Sequence, residues 1–131
     1  MRVVFDTNVF VSALAIPGGR ADAAITRITA GTDQLFVSKD IVAEVLGVLA
    51  SKFGRDREEL ARVAVLLSEL GEVVRPRRRV TVLSDDADNR VLECAIAARA
   101  DAIVTGDRAF LALARYREIR IVTLRAYLDE G

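Results

Sequence analysis

The chain has 131 residues, of which 52% are hydrophobic and 29% are charged, so it is long enough to bury a core and too apolar for a disordered chain. Its 19 Lys and Arg residues balance its 19 Asp and Glu residues, which excludes a global positive field that attracts nucleic acid; only local basic patches or bound cations could do so. Because the chain contains no histidine, general-base chemistry by imidazole is excluded as well.

Strands followed by helices are predicted along the first half of the chain. Apolar runs indicate strands, helical spacing of apolar residues indicates helices, and Gly or Pro marks their ends. We expect strands at residues 2–5 and 34–37, and helices at 8–16, at 20–30, after the N-cap residue Ser38, and from the N-cap residue Asp56 to Gly71.

The second half of the chain continues the alternation. We expect brief extended segments at residues 73–74 and 80–83, a helix at 87–99, a strand at 102–105, a helix at 108–114, a strand at 119–122 and a helical turn at 125–128. Strands that alternate with helices predict an α/β fold, in which helices cover both faces of a mainly parallel sheet. With no linker or repeat in the sequence, we expect residues 1–131 to form one domain.

Acidic residues recur where a predicted strand ends or just inside the helix that follows it. They are Asp6, Glu44, one or more aspartates of Asp85-Asp86-Ala87-Asp88, and Asp107. The carboxyl ends of parallel strands meet at one edge of a sheet, where ligands usually bind. Carboxylates gathered there would repel one another unless divalent cations lay between them. A site for Mg²⁺ or Mn²⁺ is therefore expected, since both accept oxygen ligands.

Each acid also has an ordinary structural explanation when it is considered alone. Asp6 follows a strand and suits a helix cap, and Glu44 suits the solvated face of an amphipathic helix. Acids at the start of a helix are favoured by the macrodipole, and Gly106-Asp107 suits a turn. Only the joint placement of the four acidic positions favours a metal site.

Several motifs, in their order along the chain, resemble those of a PIN domain. They are Val4-Phe5-Asp6-Thr7-Asn8 with Ser12, the helical Glu44, Asp88-Asn89 leading into Leu92-Glu93, and Thr105-Gly106-Asp107. The resemblance spans almost the entire chain. It is closest to the bacterial and archaeal PIN proteins that act as toxins of toxin–antitoxin systems.

The resemblance implies a metal-dependent ribonuclease on a three-layer α/β/α fold, acting on RNA in the cytoplasm. It also implies a homodimer that is restrained by a small antitoxin protein. The implied catalytic and metal-binding acids are Asp6, Glu44, Asp88 and Asp107, supported through hydrogen bonds by Thr7, Asn8, Ser12, Asn89 and Thr105. Asp85 and Asp86 remain alternatives to Asp88, and Asp107 could instead be a supporting residue.

The densest basic run is Arg75-Pro76-Arg77-Arg78-Arg79, which suits contacts with the phosphates of RNA. A solvated guard on an edge strand would explain the run equally well. Arg90, Arg99 and Arg108 lie near the acid-bearing segments and could also meet phosphates, although surface charge pairing is the ordinary role of such residues.

Rival functions make different demands on the sequence. A haloacid-dehalogenase-like phosphotransferase needs a second Asp two residues after the first, where this chain has Asn8, and a receiver domain needs a lysine where Leu124-Arg125 stands. A non-catalytic PIN-like module that binds RNA or a protein partner would lack a carboxylate, and none is missing here. The lone Cys94 suits burial in a reducing cytoplasm, and no apolar run has membrane-spanning length.

Overall fold

The computed structural model describes residues 1–130, so Gly131 of the predicted domain lies outside the described residues. The strands are β1 (Arg2–Phe5), β2 (Gln34–Val37), β3 (Glu72–Val73), β4 (Ala102–Val104), β5 (Arg115–Tyr116) and β6 (Ile119–Val122). The helices are α1 (Thr7–Ala15), α2 (Arg20–Thr29), α3 (Lys39–Phe53), α4 (Arg57–Leu70), α5 (Asp86–Ala98), α6 (Arg108–Ala112) and α7 (Leu124–Asp129). None of these helices is long and apolar enough to cross a membrane.

The strands form one mixed sheet in the order β3-β2-β1-β4-β6-β5. Every neighbouring pair is parallel except β5 and β6, which form an antiparallel hairpin. In the centre, Val4 pairs with Phe36 on one side and with Ile103 on the other. The predicted α/β/α fold with a mainly parallel central sheet is confirmed.

The central strands are buried on both faces, which explains why their sequences are continuously apolar. Val3, Val4 and Phe5 of β1 have no exposed surface, and neither do the residues of β4. The ring of Phe5 lies 5.7 Å from the ring of Phe10 in α1 and 5.7 Å from that of Tyr127 in α7. These contacts fix the start of α1 directly beyond the end of β1, where Asp6 lies.

The predicted N-caps of α3 and α4 are both present. The Ser38 hydroxyl accepts from the Ile41 amide at 3.2 Å, and the Asp56 carboxylate accepts from the Glu59 amide at 2.9 Å. Cys94 is fully buried in α5, as predicted, and burial raises the pKa of its thiol to about 12. The thiol is therefore protonated and packs as a small hydrophobic group.

The prediction of an extended segment at residues 80–83 is wrong, because the structure has no strand there. The amides of this segment bond to side chains of α5 instead of to another strand. The Val80 amide donates to Glu93 at 2.8 Å, and the amides of Val82 and Leu83 donate to Asn89 at 3.1 and 2.8 Å. Polar side chains on one helix thus replace the hydrogen bonds of a strand pair.

The helix predicted at residues 108–114 ends earlier, and strand β5 follows it. Ala114 has a φ of 59°, a left-handed conformation that a helix cannot continue through. Arg117 has a φ of 54° and lies in the turn between β5 and β6. Sequence patterns did not indicate this hairpin because neither position carries the glycine or asparagine that usually adopts a left-handed turn.

A buried ionic cluster around Asp33 connects both ends of the described chain. The Asp33 carboxylate accepts from the N-terminal ammonium at 2.7 Å, from Arg27 Nε at 3.0 Å and from the Tyr127 hydroxyl at 2.7 Å. Burial alone would raise the pKa of Asp33, but these donors outweigh burial and lower it. The cluster therefore stabilises the fold with its carboxylate ionised.

Removing this carboxylate should destabilise the protein strongly. Because Asp33→Ala leaves the buried Tyr127 hydroxyl and Arg27 without their acceptor, we expect a loss of about 3 kcal/mol in the free energy of unfolding, measured with urea. Asp129→Ala removes an exposed acid of α7 that forms no ion pair within residues 1–130, and it should change the free energy of unfolding by less than about 0.5 kcal/mol.

The effect of Asp33→Ala should also depend on pH. Because the pKa of Asp33 is lowered on folding, its contribution is complete above the unfolded pKa of about 3.9 and is lost as the pH falls through the lower folded value. A difference between wild type and variant that grew on acidification would contradict this account.

Candidate metal centre

Asp6 begins the candidate site at the carboxyl end of β1. Its backbone amide donates to the Val104 carbonyl at 2.9 Å, which extends the pairing of β1 with β4 by one residue. Its carboxylate then caps α1, since Oδ1 accepts from the Thr7 amide at 2.7 Å. The side chain is only 4% exposed, and this burial raises its pKa. The residue is therefore both a helix cap and a fixed, buried carboxylate.

Thr105, directly after β4, connects Asp6 with Asp107. Its hydroxyl donates to Asp6 Oδ2 at 2.6 Å and accepts from the Asp107 amide at 3.1 Å. Asp107 is half-buried and caps α6, its Oδ1 accepting from the Phe110 amide at 3.0 Å. One buried hydroxyl thus orients a carboxylate at the end of β1 and the loop that carries a second carboxylate.

Asp88, in the first turn of α5, is the most perturbed acid of the site. It is 5% exposed, and its Oδ2 atom is buried without a hydrogen-bond partner. Burial, followed by the negative charges of Asp6, Asp85 and Asp107, raises the pKa of Asp88 to about 7. Within residues 1–130 no lysine or arginine forms an ion pair with Asp6, Asp88 or Asp107.

Glu44 lies on a cleft that is also lined by chain neighbours of Asp6 and Asp88. The side chain is exposed on α3 and lines a cavity of about 410 Å³, which we call the acid cleft. Thr7 and Ala87, the chain neighbours of Asp6 and Asp88, also line it. Two arginines, Arg79 and Arg90, and two further acids, Asp40 and Asp86, also line it. Glu44 is therefore exposed in the acid cleft, whereas Asp6 and Asp88 are buried and Asp107 is half-buried.

The other candidates for the third acid are placed differently from Asp88. Asp85 and Asp86 are exposed; Asp85 caps α5 through the Ala87 amide at 2.9 Å, and Asp86 lines the acid cleft. Only Asp88 is both buried and under the influence of Asp6 and Asp107.

The predicted supporting residues do not share one role in the structure. Thr105 bonds to Asp6, and Thr7 contributes its amide. Asn8 is exposed and Ser12 half-buried, and neither side chain has a hydrogen bond to another residue within 1–130. The Asn89 amide group is fully engaged by the segment at 82–83, with Nδ2 donating to the Leu83 carbonyl at 2.8 Å.

The arginines of the basic run lie in the loop between β3 and α5, and all four are exposed. Arg79 reaches the acid cleft and lies 3.9 Å from Glu93 of α5. Glu93 is 3% exposed, bonds to the Val80 amide and pairs with Arg90 at 2.9 Å. Sequence analysis assigned Glu93 no role, although an acid among Leu92, Cys94 and other apolar residues signals a buried, paired charge.

The donor chemistry of this site fits a divalent cation, but the ligand shell is open. Within residues 1–130, no three His, Cys, Asp or Glu side chains form a ready-made metal-binding group. Asp6 and Asp88 nevertheless supply buried carboxylate oxygens of the kind that Mg²⁺ and Mn²⁺ prefer, and one of these oxygens has no partner. Their negative charges must be neutralised either by protons or by a cation.

Comparisons with known proteins identify the family. A family model described as "PIN domain" matches residues 2–109. An uncharacterized protein of Methanocaldococcus jannaschii is 26% identical over 117 residues, which cover 86% of this chain and 75% of that protein.

Two solved structures share the fold. One is the structure of VapBC2 from Rickettsia felis bound to a DNA fragment from its promoter. It matches with a TM-score of 0.67 and 16% identity, over 94% of this chain and 98% of that chain. VapBC-1 from nontypeable Haemophilus influenzae also gives 0.67, with 17% identity over 95% and 99% of the two chains.

Replacing Asp88 with a neutral isostere should stabilise the metal-free protein. Because the pKa of Asp88 is raised to about 7, the wild type loses stability as the pH rises from the unfolded pKa of about 3.9 through the folded value. Asp88→Asn does not titrate, so its advantage in urea unfolding with EDTA should be larger at about pH 8 than at about pH 5.

Asp86→Asn is the matched control, because it removes an exposed acid from the same helical turn. It should show no comparable pH-dependent gain. An Asp88→Asn protein that is less stable than wild type at both pH values would show that this carboxylate is not under electrostatic strain.

Proposed function

Since the chain belongs to the PIN domain family, we propose that it is a metal-dependent ribonuclease that hydrolyses RNA phosphodiester bonds at its acidic cluster. The observation that carries the proposal is the buried Asp88 carboxylate, which has an unpartnered oxygen and faces the charge of Asp6. The charge of such a group costs stability, and acids perturbed in this way cluster at functional sites.

Asp6 and Asp88 would hold the cation, with Glu44 and Asp107 completing its ligands. When bound, Mg²⁺ or Mn²⁺ would neutralise charge on the phosphoryl group and lower the pKa of a water molecule. The hydrogen bonds from Thr7 and Thr105 keep the Asp6 carboxylate in one orientation, so little entropy is lost when it binds a ligand.

The side chains of the acid cleft can serve the substrate. Arg79 and Arg90 line the cleft, and the exposed Arg79 would attract the phosphate next to the scissile bond, while Arg90 is paired with Glu93. A carboxylate of the acidic cluster would accept the proton of the attacking water. An oxygen–phosphorus bond to this water forms as the bond to the 3′ oxygen breaks. The departing 3′ oxygen takes a proton from solvent water, so the products are a 5′-phosphate and a 3′-hydroxyl.

We propose further that the protein is the toxin of a toxin–antitoxin pair. The support is its family together with its structural similarity to two VapBC complexes, which are toxin–antitoxin pairs. A small antitoxin would then be its protein partner, and the resemblance of its sequence to PIN toxins suggests a homodimer in the cytoplasm. Coexpression with and without a gene encoded beside it would test the partner, because only an antitoxin should relieve growth arrest.

Cleavage of RNA should depend on both the metal and Asp6. With a 5′-labelled single-stranded RNA, we expect cleavage in Mg²⁺ or Mn²⁺ and none in EDTA. Asp6→Asn keeps the size of the side chain but removes its charge, so the rate should fall at least about 100-fold, more than is usual for residues that only support ligands.

The control and the RNA-binding measurement decide between the proposal and its main alternative. Asp129→Asn, which removes an exposed acid of α7, should cleave as the wild type does. If wild type and Asp6→Asn both bind RNA and neither cleaves it, a non-catalytic RNA-binding module becomes the better account. One observation favours that alternative: no three His, Cys, Asp or Glu side chains among residues 1–130 form a ready-made metal-binding group.

A further inference from the structure

A basic surface lies next to α5 and includes three arginines of the basic run. Its cavity of about 580 Å³, which we call the arginine groove, is bounded by the loop after β3, the carboxyl half of α5 and the turn between β5 and β6. The arginines that line it are Arg75, Arg77, Arg78, Arg99 and Arg117. The groove therefore combines charges from three separate parts of the chain.

These arginine side chains are free to bind an anion. Within residues 1–130, none of the five forms an ion pair or a hydrogen bond through its guanidinium group, although Arg117 lies over the ring of Tyr116. The one acid in the lining, Glu93, is already satisfied by Arg90 and by the Val80 amide. The groove thus has a large excess of positive charge in a chain whose net charge is zero.

The arginine groove is continuous with the acid cleft. A small cavity of about 150 Å³ shares Arg77, Arg78 and Glu93 with the groove. The same small cavity shares Arg79 and Asp40 with the acid cleft. A path lined by arginines therefore leads from the acid cleft, which Glu44 lines, to Arg99 and Arg117 at the far end.

The two arginines at the far end both have a left-handed backbone conformation, which most residues other than glycine disfavour. Arg99 follows α5 with a φ of 51°, and Arg117 has a φ of 54° in the β5–β6 turn. Glycine is the preferred residue at such left-handed positions, because a Cβ atom is disfavoured there. Both arginines nevertheless direct an exposed charge into the groove lining, where a glycine would contribute none.

We propose that the arginine groove binds the sugar-phosphate backbone of RNA nucleotides outside the scissile bond, with Arg99 and Arg117 at the distal end of the path. This inference rests on the proposed ribonuclease function and adds a direction to it. RNA is favoured over an acidic protein segment because the path begins at the acid cleft, so a strand cleaved there would continue into the groove. Each phosphate neutralised by an arginine releases counterions and adds to the salt dependence of binding.

The test compares a short and a long single-stranded RNA, of about 4 and about 16 nucleotides, which span the range bound by small single-strand sites. Fluorescence anisotropy in the Asp6→Asn background gives both affinities without cleavage. Arg99→Gly/Arg117→Gly should lower the ratio of long-RNA to short-RNA affinity at least about tenfold. It should also reduce the salt slope for the long RNA by about 1.4, since each phosphate contact contributes about 0.7.

The glycine substitutions separate a binding role from a structural one. Because glycine accepts left-handed backbone, the double variant should keep or raise the melting temperature while it loses affinity for long RNA. Ala114→Gly is the matched control: the position has a φ of 59° but no charge, so RNA binding should not change.

The outcomes also separate this inference from the proposed function. A wild type that prefers long RNA through Arg99 and Arg117 but cleaves none in Mn²⁺ would remove the nuclease proposal and keep the groove as an RNA site. If the wild type cleaves RNA and the double variant keeps the wild-type affinity ratio, the groove does not bind RNA. A double variant that keeps the wild-type ratio of long-RNA to short-RNA affinity could still lose binding to a poly-glutamate peptide. That result would mean that the groove binds an acidic protein segment, and it would overturn the inference.

Discussion

The main constraint on this structure is that its sheet brings several carboxylates to one edge, where they repel one another. Asp6 ends β1, Asp107 follows β4, and Asp88 opens the helix that packs against these strands. Burial and the negative charges of neighbouring aspartates raise the pKa values of Asp6 and Asp88, and no basic side chain among residues 1–130 pairs with them. A fold that keeps such a cluster gives up stability in its metal-free state, which is common where a site must bind a cation or a substrate.

Helix α5 connects this strained cluster with the basic surface. Asp88 of its first turn faces the acids, while Asn89 and Glu93 hold the segment at residues 80–83 through its backbone amides. Fixing that segment also places Arg79 beside the acid cleft. One helix therefore determines the position of a candidate cation ligand and of a candidate phosphate contact. Both positions depend on the buried polar residues Asp88, Asn89 and Glu93 of this helix.

The sequence predicted the alternation of elements and the acidic positions because strong local patterns carry both. Consecutive apolar residues such as Val3-Val4-Phe5 predict a strand buried on both faces, and the acids follow directly at strand ends. Long-range contacts set the rest. Nothing near Val80 indicates that its amide bonds to Glu93, and nothing near Arg115 indicates a strand, because both depend on partners elsewhere in the fold. For the same reason, burial alone distinguishes Asp88 from Asp85 and Asp86, which are equally acidic in the sequence.

The central claim is that the Asp6–Asp88 cluster binds a divalent cation, and Mn²⁺ binding to the RNA-free protein tests it most directly. The free-ion signal in electron paramagnetic resonance reports how much Mn²⁺ a given protein concentration removes from solution. The account predicts uptake by the wild type and its loss in Asp88→Asn, although that variant should be folded and more stable. Equal uptake by the two proteins, or none by the wild type, would contradict the claim that these carboxylates form a metal centre.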